Sequence, residues 1–105
     1  MQIIKLIIFC ILIITANASV AETVSSSCTY NGIPLYGRVK VVNAFPDIKV
    51  KVVKSFPDLK VKKVDAFPDS CGKWKYVDAF PDFKIKYVDA FPDVKIKFVN
   101  SFPGL

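Results

Sequence analysis

This sequence contains no histidine, so the side chains that could do chemistry are chiefly its aspartates, its lysines and its three cysteines. Catalysis requires a positioned base, nucleophile or metal. Three pairs of aspartates lie four residues apart, and such pairs could gather around calcium, which prefers roughly six to eight oxygen ligands. Capping of turns explains the same residues, and the glycine-rich nonapeptide of calcium-binding β-rolls is missing. The aspartates are Asp47, Asp58, Asp65, Asp69, Asp78, Asp82, Asp89 and Asp93.

The cysteines favour a structural role over a catalytic one. Cys28 and Cys71 are not in a Cys-x-x-Cys motif and have no histidine to activate a thiolate. In an oxidising compartment we expect a disulfide between them, which stabilises the fold by about 4 kcal/mol in the chain-entropy model. The sequence also lacks a glycine-rich phosphate loop, a nucleophile elbow and a zinc spacing. It therefore predicts no enzyme, no catalytic residue, no metal site and no cofactor.

The lysines occur in pairs two residues apart, with Trp74, Tyr76 and Tyr87 nearby. A basic, aromatic surface of this kind binds nucleic acid or an acidic glycan. A solvated strand face that discourages edge-to-edge association explains the same lysines, and alternation places Tyr87 on the face opposite Lys86. The formal net charge of +6 favours weak attraction to anionic polymers or membrane surfaces. The candidate polyanion-binding residues are Lys49, Lys51, Lys60, Lys62, Lys84, Lys86, Lys95 and Lys97.

Residues 1–21 have the pattern of an export signal. Lys5 supplies the positive charge, residues 6–14 are an apolar run too short to span a bilayer of about 30 Å, and residues 19–21 fit a cleavage site. Cleavage after Ala18 and a retained anchor are alternatives. We expect an exported protein, in the periplasm, at the cell surface or outside the cell, with no transmembrane segment after cleavage. The mature chain is divided into a lead-in segment, 22–36, and a β-repeat domain, 37–105.

Internal repetition decides the predicted architecture. Phe-Pro occurs six times at intervals of 11, 11, 13, 11 and 11 residues, with the extra two residues near Cys71. Residues 37–69 align with residues 72–104, and each half opens with a glycine and a basic residue. The sequence therefore predicts a small all-β domain of six eleven-residue units in two pseudo-equivalent halves.

Within each unit, apolar residues alternate with lysines, as in Phe83-Lys84-Ile85-Lys86-Tyr87. A period of two residues indicates a strand with one buried face, and a proline every eleven residues excludes a helix. The connectors between strands have the chemistry of turns, since proline presets φ and aspartate favours the adjoining position. We expect the connector phenylalanines to be structural turn residues that pack inward, because burying one ring contributes about 2 kcal/mol. They are Phe45, Phe56, Phe67, Phe80, Phe91 and Phe102.

Three features resemble the 7(1) septoil knot domain family of bacterial proteins. They are the run from Asn31 to Gly37, the repeated Val-Asp-Ala-Phe-Pro-Asp units and the central Cys71-Gly72-Lys73-Trp74, and the likeness extends to the terminal Phe102-Pro103-Gly104. It implies a compact β domain threaded into a seven-crossing torus knot, with no established activity and no catalytic residues. An unknotted short β-solenoid or a small barrel of the same units is the alternative.

We therefore expect an exported, non-enzymatic structural or interaction module of unknown partner. A binder of anionic polymer, either nucleic acid or an acidic glycan, is the alternative function, acting through the lysine-rich strand face. A toxin or inhibitor secreted against another cell is also open, although no residue points to a target.

Overall fold

The computed structural model describes residues 24–105, so the predicted export signal lies outside the described residues. The described chain contains eight strands and no helix, and therefore no helix that is long and apolar enough to cross a membrane. The all-β prediction is confirmed. The strands are β1 (Thr29–Tyr30), β2 (Ile33–Pro34), β3 (Gly37–Val41), β4 (Ile48–Val52), β5 (Leu59–Lys63), β6 (Lys73–Tyr76), β7 (Phe83–Tyr87) and β8 (Val94–Phe98).

The repeat strands follow the alternation of the sequence. In β4, Ile48 and Val50 are buried and Lys49 is exposed, and in β7, Phe83 and Ile85 are buried. The inward residues fill the interior of a closed barrel, whose fully buried central layer consists of Val39, Val50, Val61, Trp74, Ile85 and Ile96. The period of two residues therefore sorts apolar side chains into the core and lysines onto the outer wall.

The barrel interleaves the two halves of the sequence. Its strand order is β3-β6-β5-β8-β4-β7, and all six neighbouring pairs are parallel. Strands β3, β4 and β5 come from the first half and β6, β7 and β8 from the second, so every ladder joins one half to the other. No strand of the barrel pairs with a strand of its own half.

Interleaving requires the connectors to cross strands. The N–H of Val42, just after β3, donates to the Ile85 carbonyl at 2.8 Å, and the N–H of Asp47, just before β4, donates to the Lys84 carbonyl at 2.9 Å. Backbone groups of consecutive strand residues point to opposite edges of a strand. Val42 and Asp47 therefore lie at opposite edges of β7, and residues 43–46 pass over its outer face.

Three other connectors and the C-terminal segment repeat this arrangement, with a valine and an aspartate straddling a strand in each connector and Val99 and Gly104 doing so in the C-terminal segment. Residues 53–58 cross β8, residues 77–82 cross β3, residues 88–93 cross β4, and residues 99–104 cross β5. The connector from β5 to β6 is the exception, since these strands are neighbours in the barrel. It is also the connector with two extra residues, so the change in spacing coincides with a change in winding.

The lead-in segment is fastened to this joint. Cys28 and Cys71 form a disulfide, with their Cα atoms 5.9 Å apart, and β1 and β2 pair as an antiparallel hairpin. The Leu35 carbonyl accepts hydrogen bonds from the N–H of Gly72, at 3.0 Å, and from the indole of Trp74, at 3.1 Å. Gly72 has φ +82, and a Cβ there would collide with the Lys60 carbonyl oxygen, so this close approach requires glycine.

The phenylalanines of the connectors lie in turns, but the expectation that they pack inward is wrong. Their exposed fractions are between 78% and 91%, and their φ angles are between +54° and +56°, which is the left-handed region. Five of the connectors pass over the outside of a strand, and that strand separates their rings from the core. Phe67 lies in the connector from β5 to β6, which crosses no strand, and is the least exposed of the six at 78%. We call Phe45, Phe56, Phe67, Phe80, Phe91 and Phe102 the crest phenylalanines.

We expect a chain that ends at residue 70 to form none of the barrel ladders as a monomer. It retains β3, β4 and β5, but their ladder partners are all in the missing half. Far-UV circular dichroism and amide hydrogen exchange of the monomeric fragment, compared with the whole chain, test this. A cooperative thermal transition of the monomeric fragment would contradict it.

We expect Phe91→Asn to leave the free energy of unfolding unchanged or to raise it by up to about 1 kcal/mol, because Asn tolerates the left-handed region better and little buried surface is lost. The matched core change Ile85→Ala should lower it by about 2–5 kcal/mol. Thermal melts of both variants measure this. A melting temperature of Phe91→Asn more than about 2 °C below that of the parent would show that the ring supports the fold.

Candidate functional site

The outer wall of the barrel is built from laterally paired cations. The outward residues of each strand are lysine or arginine, and the register places each one beside another on the neighbouring strand. The six pairs are Arg38 with Lys75, Lys40 with Lys84, Lys49 with Lys86, Lys51 with Lys95, Lys60 with Lys97, and Lys62 with Lys73. We call these twelve residues the lysine belt.

Carboxylates neutralise little of the lysine belt. Within residues 24–105 there are two ion pairs, Arg38 with Asp82 at 3.3 Å and Lys73 with Asp69 at 4.0 Å. Like charges directly opposite each other on adjacent strands destabilise a sheet. None of the belt residues is buried, so water and salt screen this repulsion. The belt is therefore a cationic surface on all six strands, crossed by connectors on five of them, and an anion would stabilise it.

The structure uses the aspartates as clamps on the crossed strands. Asp47 binds the backbone of Lys84 twice. Its N–H donates to the Lys84 carbonyl, as described above, and its Oδ2 accepts the Lys84 N–H at 2.8 Å, as a backbone carbonyl would in a regular ladder. Asp58, Asp82 and Asp93 hold the backbone of Lys95, Arg38 and Lys49 in the same way, through Oδ2. Gly104 holds the backbone of Lys60 without a side chain, since its carbonyl accepts the Lys60 N–H and its N–H donates to the Lys60 carbonyl.

Clamping fits the turn-capping interpretation of the aspartates better than the calcium interpretation. No group of three or more potential metal ligands occurs in the part of the chain that the structure describes. The paired aspartates also have different tasks, since Asp82 binds the backbone of β3 while the side chain of Asp78, four residues earlier, makes no hydrogen bond within residues 24–105. The hydrogen bond from the Arg38 N–H and the bond from its guanidinium hold the pKa of Asp82 below its usual range.

The aromatic residues near the lysines close one end of the barrel. Tyr76, Tyr87, Phe98 and Lys63 occupy the last inward position of their strands. The hydroxyls of Tyr76 and Tyr87 are 2.7 Å apart, and Lys63 Nζ lies 4.7 Å from the Phe98 ring centroid and 5.2 Å from that of Tyr76. Burial raises the pKa of Tyr76, and the hydrogen bond with Tyr87 raises it further. The aromatic end is thus distinct from the outer wall that carries the belt.

The described residues also line shallow grooves. One of about 350 Å³ lies between the lead-in hairpin and the barrel, beside Pro34, Tyr36, Pro68 and Phe83, with Asp82 as its titratable acid. Another of about 290 Å³ lies between Lys62, Lys63 and Phe98 at the aromatic end. Neither groove combines a nucleophile with a base, so the lysine belt is the candidate functional site.

Comparison with known proteins agrees with this geometry. Residues 32–105 match the model of the 7(1) septoil knot domain. The chain belongs to this family. It is also similar to a protein of Synechocystis sp. (strain ATCC 27184 / PCC 6803 / Kazusa) named Uncharacterized protein slr1025, with 56% identity over 64 residues, which are 60% of this chain and 57% of that protein. The chain therefore spans little more than half of that relative.

The eight lysines singled out from the sequence of this septoil knot domain all lie in the belt. Sequence reasoning missed the other four members, Arg38, Lys40, Lys73 and Lys75. The alignment of the halves contains the signal that could have found them, because it places Arg38 opposite Lys73 at the start of a strand. The pairing of lysines across strands has no signal in a single strand, since it depends on register.

We expect Asp82→Ala to lower the free energy of unfolding of the septoil knot domain by about 1 kcal/mol at neutral pH, because it removes the clamp on β3. Asp78→Ala removes the same charge from the same connector, and its side chain makes no hydrogen bond within residues 24–105, so it is the matched control. Denaturant unfolding measures both.

The difference between the two variants should depend on pH. Because the folded pKa of Asp82 is lowered, its contribution is complete above the ordinary carboxyl range and is lost as the pH falls through the folded value. Equal stability of the two variants at neutral pH would contradict the clamp.

Proposed function

We propose that this septoil knot domain is an exported, non-enzymatic binding module that holds anionic polymer on its lysine belt. The single observation that carries the proposal is the lateral pairing of cations around the whole barrel. Alternating lysine and glutamate at the outward positions would give the same solubility with cross-strand attraction in place of repulsion. A wall built of like charges favours a partner that supplies the missing negative charge.

A polymer suits this wall better than a small anion. The cations lie on all six strands, so the positive potential surrounds the barrel and does not converge on one pocket. Several lysines that each displace a counterion from one chain give an affinity that depends steeply on salt. A single phosphate or carboxylate would engage only one pair.

Export is supported by two independent features. The pattern of residues 1–21 is that of a cleaved signal, and the disulfide between Cys28 and Cys71 belongs to an oxidising compartment. The periplasm, the cell surface and the extracellular space all satisfy both features. The proposed module therefore meets its polymer in the envelope or outside the cell.

The belt predicts opposite effects on binding and on stability. We expect the double variant Lys95→Gln and Lys97→Gln to weaken binding to heparin and to an oligonucleotide, and to lower the slope of log affinity against log salt by about one to two. The same variant should raise the melting temperature at low salt, because it relieves the pairs with Lys51 and Lys60.

The matched control is the double variant Lys54→Gln and Lys63→Gln, which removes the same charge from exposed lysines outside the belt. Its salt slope should stay close to that of the parent. Titrations of the mature chain at several salt concentrations, followed by fluorescence anisotropy, measure all three proteins. Absent binding, or binding independent of salt, would refute the proposal.

A further inference from the structure

The crest phenylalanines combine exposure with backbone strain. All six have φ close to +55° and are at least 78% exposed, although Gly or Asn would adopt this conformation at lower cost and expose less apolar surface. The neighbouring connector positions vary between repeats, as Ala44 against Ser55 and Asn43 against Lys54 show. A phenylalanine therefore recurs in all six connectors at a position whose backbone conformation favours Gly or Asn, and strained positions of this kind cluster at functional sites such as ligand clamps.

Each crossing places a crest phenylalanine in a connector that passes over a strand of the lysine belt. The connector of Phe45 crosses β7 where Asp47 binds the backbone of Lys84, and the connector of Phe91 crosses β4 where Asp93 binds the backbone of Lys49. The other three crossings involve Phe56 at Lys95, Phe80 at Arg38, and Phe102 at Lys60. Five crest phenylalanines therefore lie on connectors that are bonded to the backbone of a belt residue.

We propose that the polymer bound by this domain is a single-stranded nucleic acid, whose bases stack on the crest phenylalanines while its phosphates bind the lysine belt. This inference rests on the proposed function and specifies its ligand. Single strands carry an anionic group and a planar π-face in every unit, and aromatic platforms with basic residues bind them without sequence preference. A duplex keeps its bases stacked inside and offers only its phosphates to the belt.

The distribution of the rings favours a flexible chain over a lipid bilayer. The five crossings lie on five different strands of a closed barrel, so the rings stand on different sides of it. Each ring is at least 78% exposed, so none is covered by another. A flat membrane would reach the rings of one side alone, whereas a single strand can follow the wall from one crest to the next.

An abasic oligomer gives the sharpest test, because it has the charge of a single strand without its bases. Anisotropy titrations of the mature chain use oligothymidylate, an abasic oligomer and a duplex, all of the same length. We expect oligothymidylate to bind at least about fivefold more tightly than the abasic oligomer for each base that stacks. Equal affinity for both would overturn the inference and leave the proposed function standing. Failure of all three to bind would refute the proposed function itself.

Two triple variants, with Ala or with Leu at Phe80, Phe91 and Phe102, distinguish base stacking from nonspecific hydrophobic contact. The Ala variant should lose most of the preference for oligothymidylate and keep the affinity for the abasic oligomer. The Leu variant should lose the same preference, because leucine keeps the apolar surface but has no π-face. Melting curves control for folding. Vesicles of anionic phospholipid are the last probe. Binding of vesicles by the parent and the Leu variant, with no preference for bases, would assign the crests to a membrane and overturn the inference.

Discussion

The fold depends on the requirement that each strand finds its hydrogen-bond partners in the other half of the chain. Because β3 and β4 are neighbours of β7 and not of each other, the connector between them has to pass over β7. The crossing interrupts the ladder at Lys84, and the Asp47 side chain restores it. Partners far apart in sequence must come together before any ladder exists, so the entropy of loop closure opposes folding until both halves are in place. The disulfide and the glycine contacts at residue 72 fasten the joint where the winding changes.

The same constraint creates the candidate functional surface. Interleaving the two halves places the first outward residue of one strand beside the second outward residue of its neighbour, so a lysine of one half meets a lysine of the other. The crossings add a strained, exposed ring to each connector that passes over the belt, as Phe91 in the connector bonded to the backbone of Lys49 illustrates. Neither feature stabilises the barrel. The buried interior, where the ring of Trp74 packs edge-on against that of Phe83, stabilises the fold.

Much of the fold could be predicted because its signals are local. Alternation in residues 83–87 correctly predicts a strand, the Phe-Pro spacing predicts the units, and the cysteine count predicts the disulfide. The inward packing of Phe91 was predicted wrongly, since large apolar side chains are usually buried and nothing in the turn shows that a strand lies beneath it. The lysines were recognised individually, but their pairing was not. Arg38 and Lys75 become neighbours through a register that spans two halves.

The strands, the turns and the apolar side of each strand follow from the order of residues within one unit, and the central and terminal motifs add the family. Strand pairing, the crossings and the neighbours of each outer side chain emerge only when the chain closes into a barrel. Six nearly identical units offer many equivalent pairings, and closure of one barrel around one core selects among them.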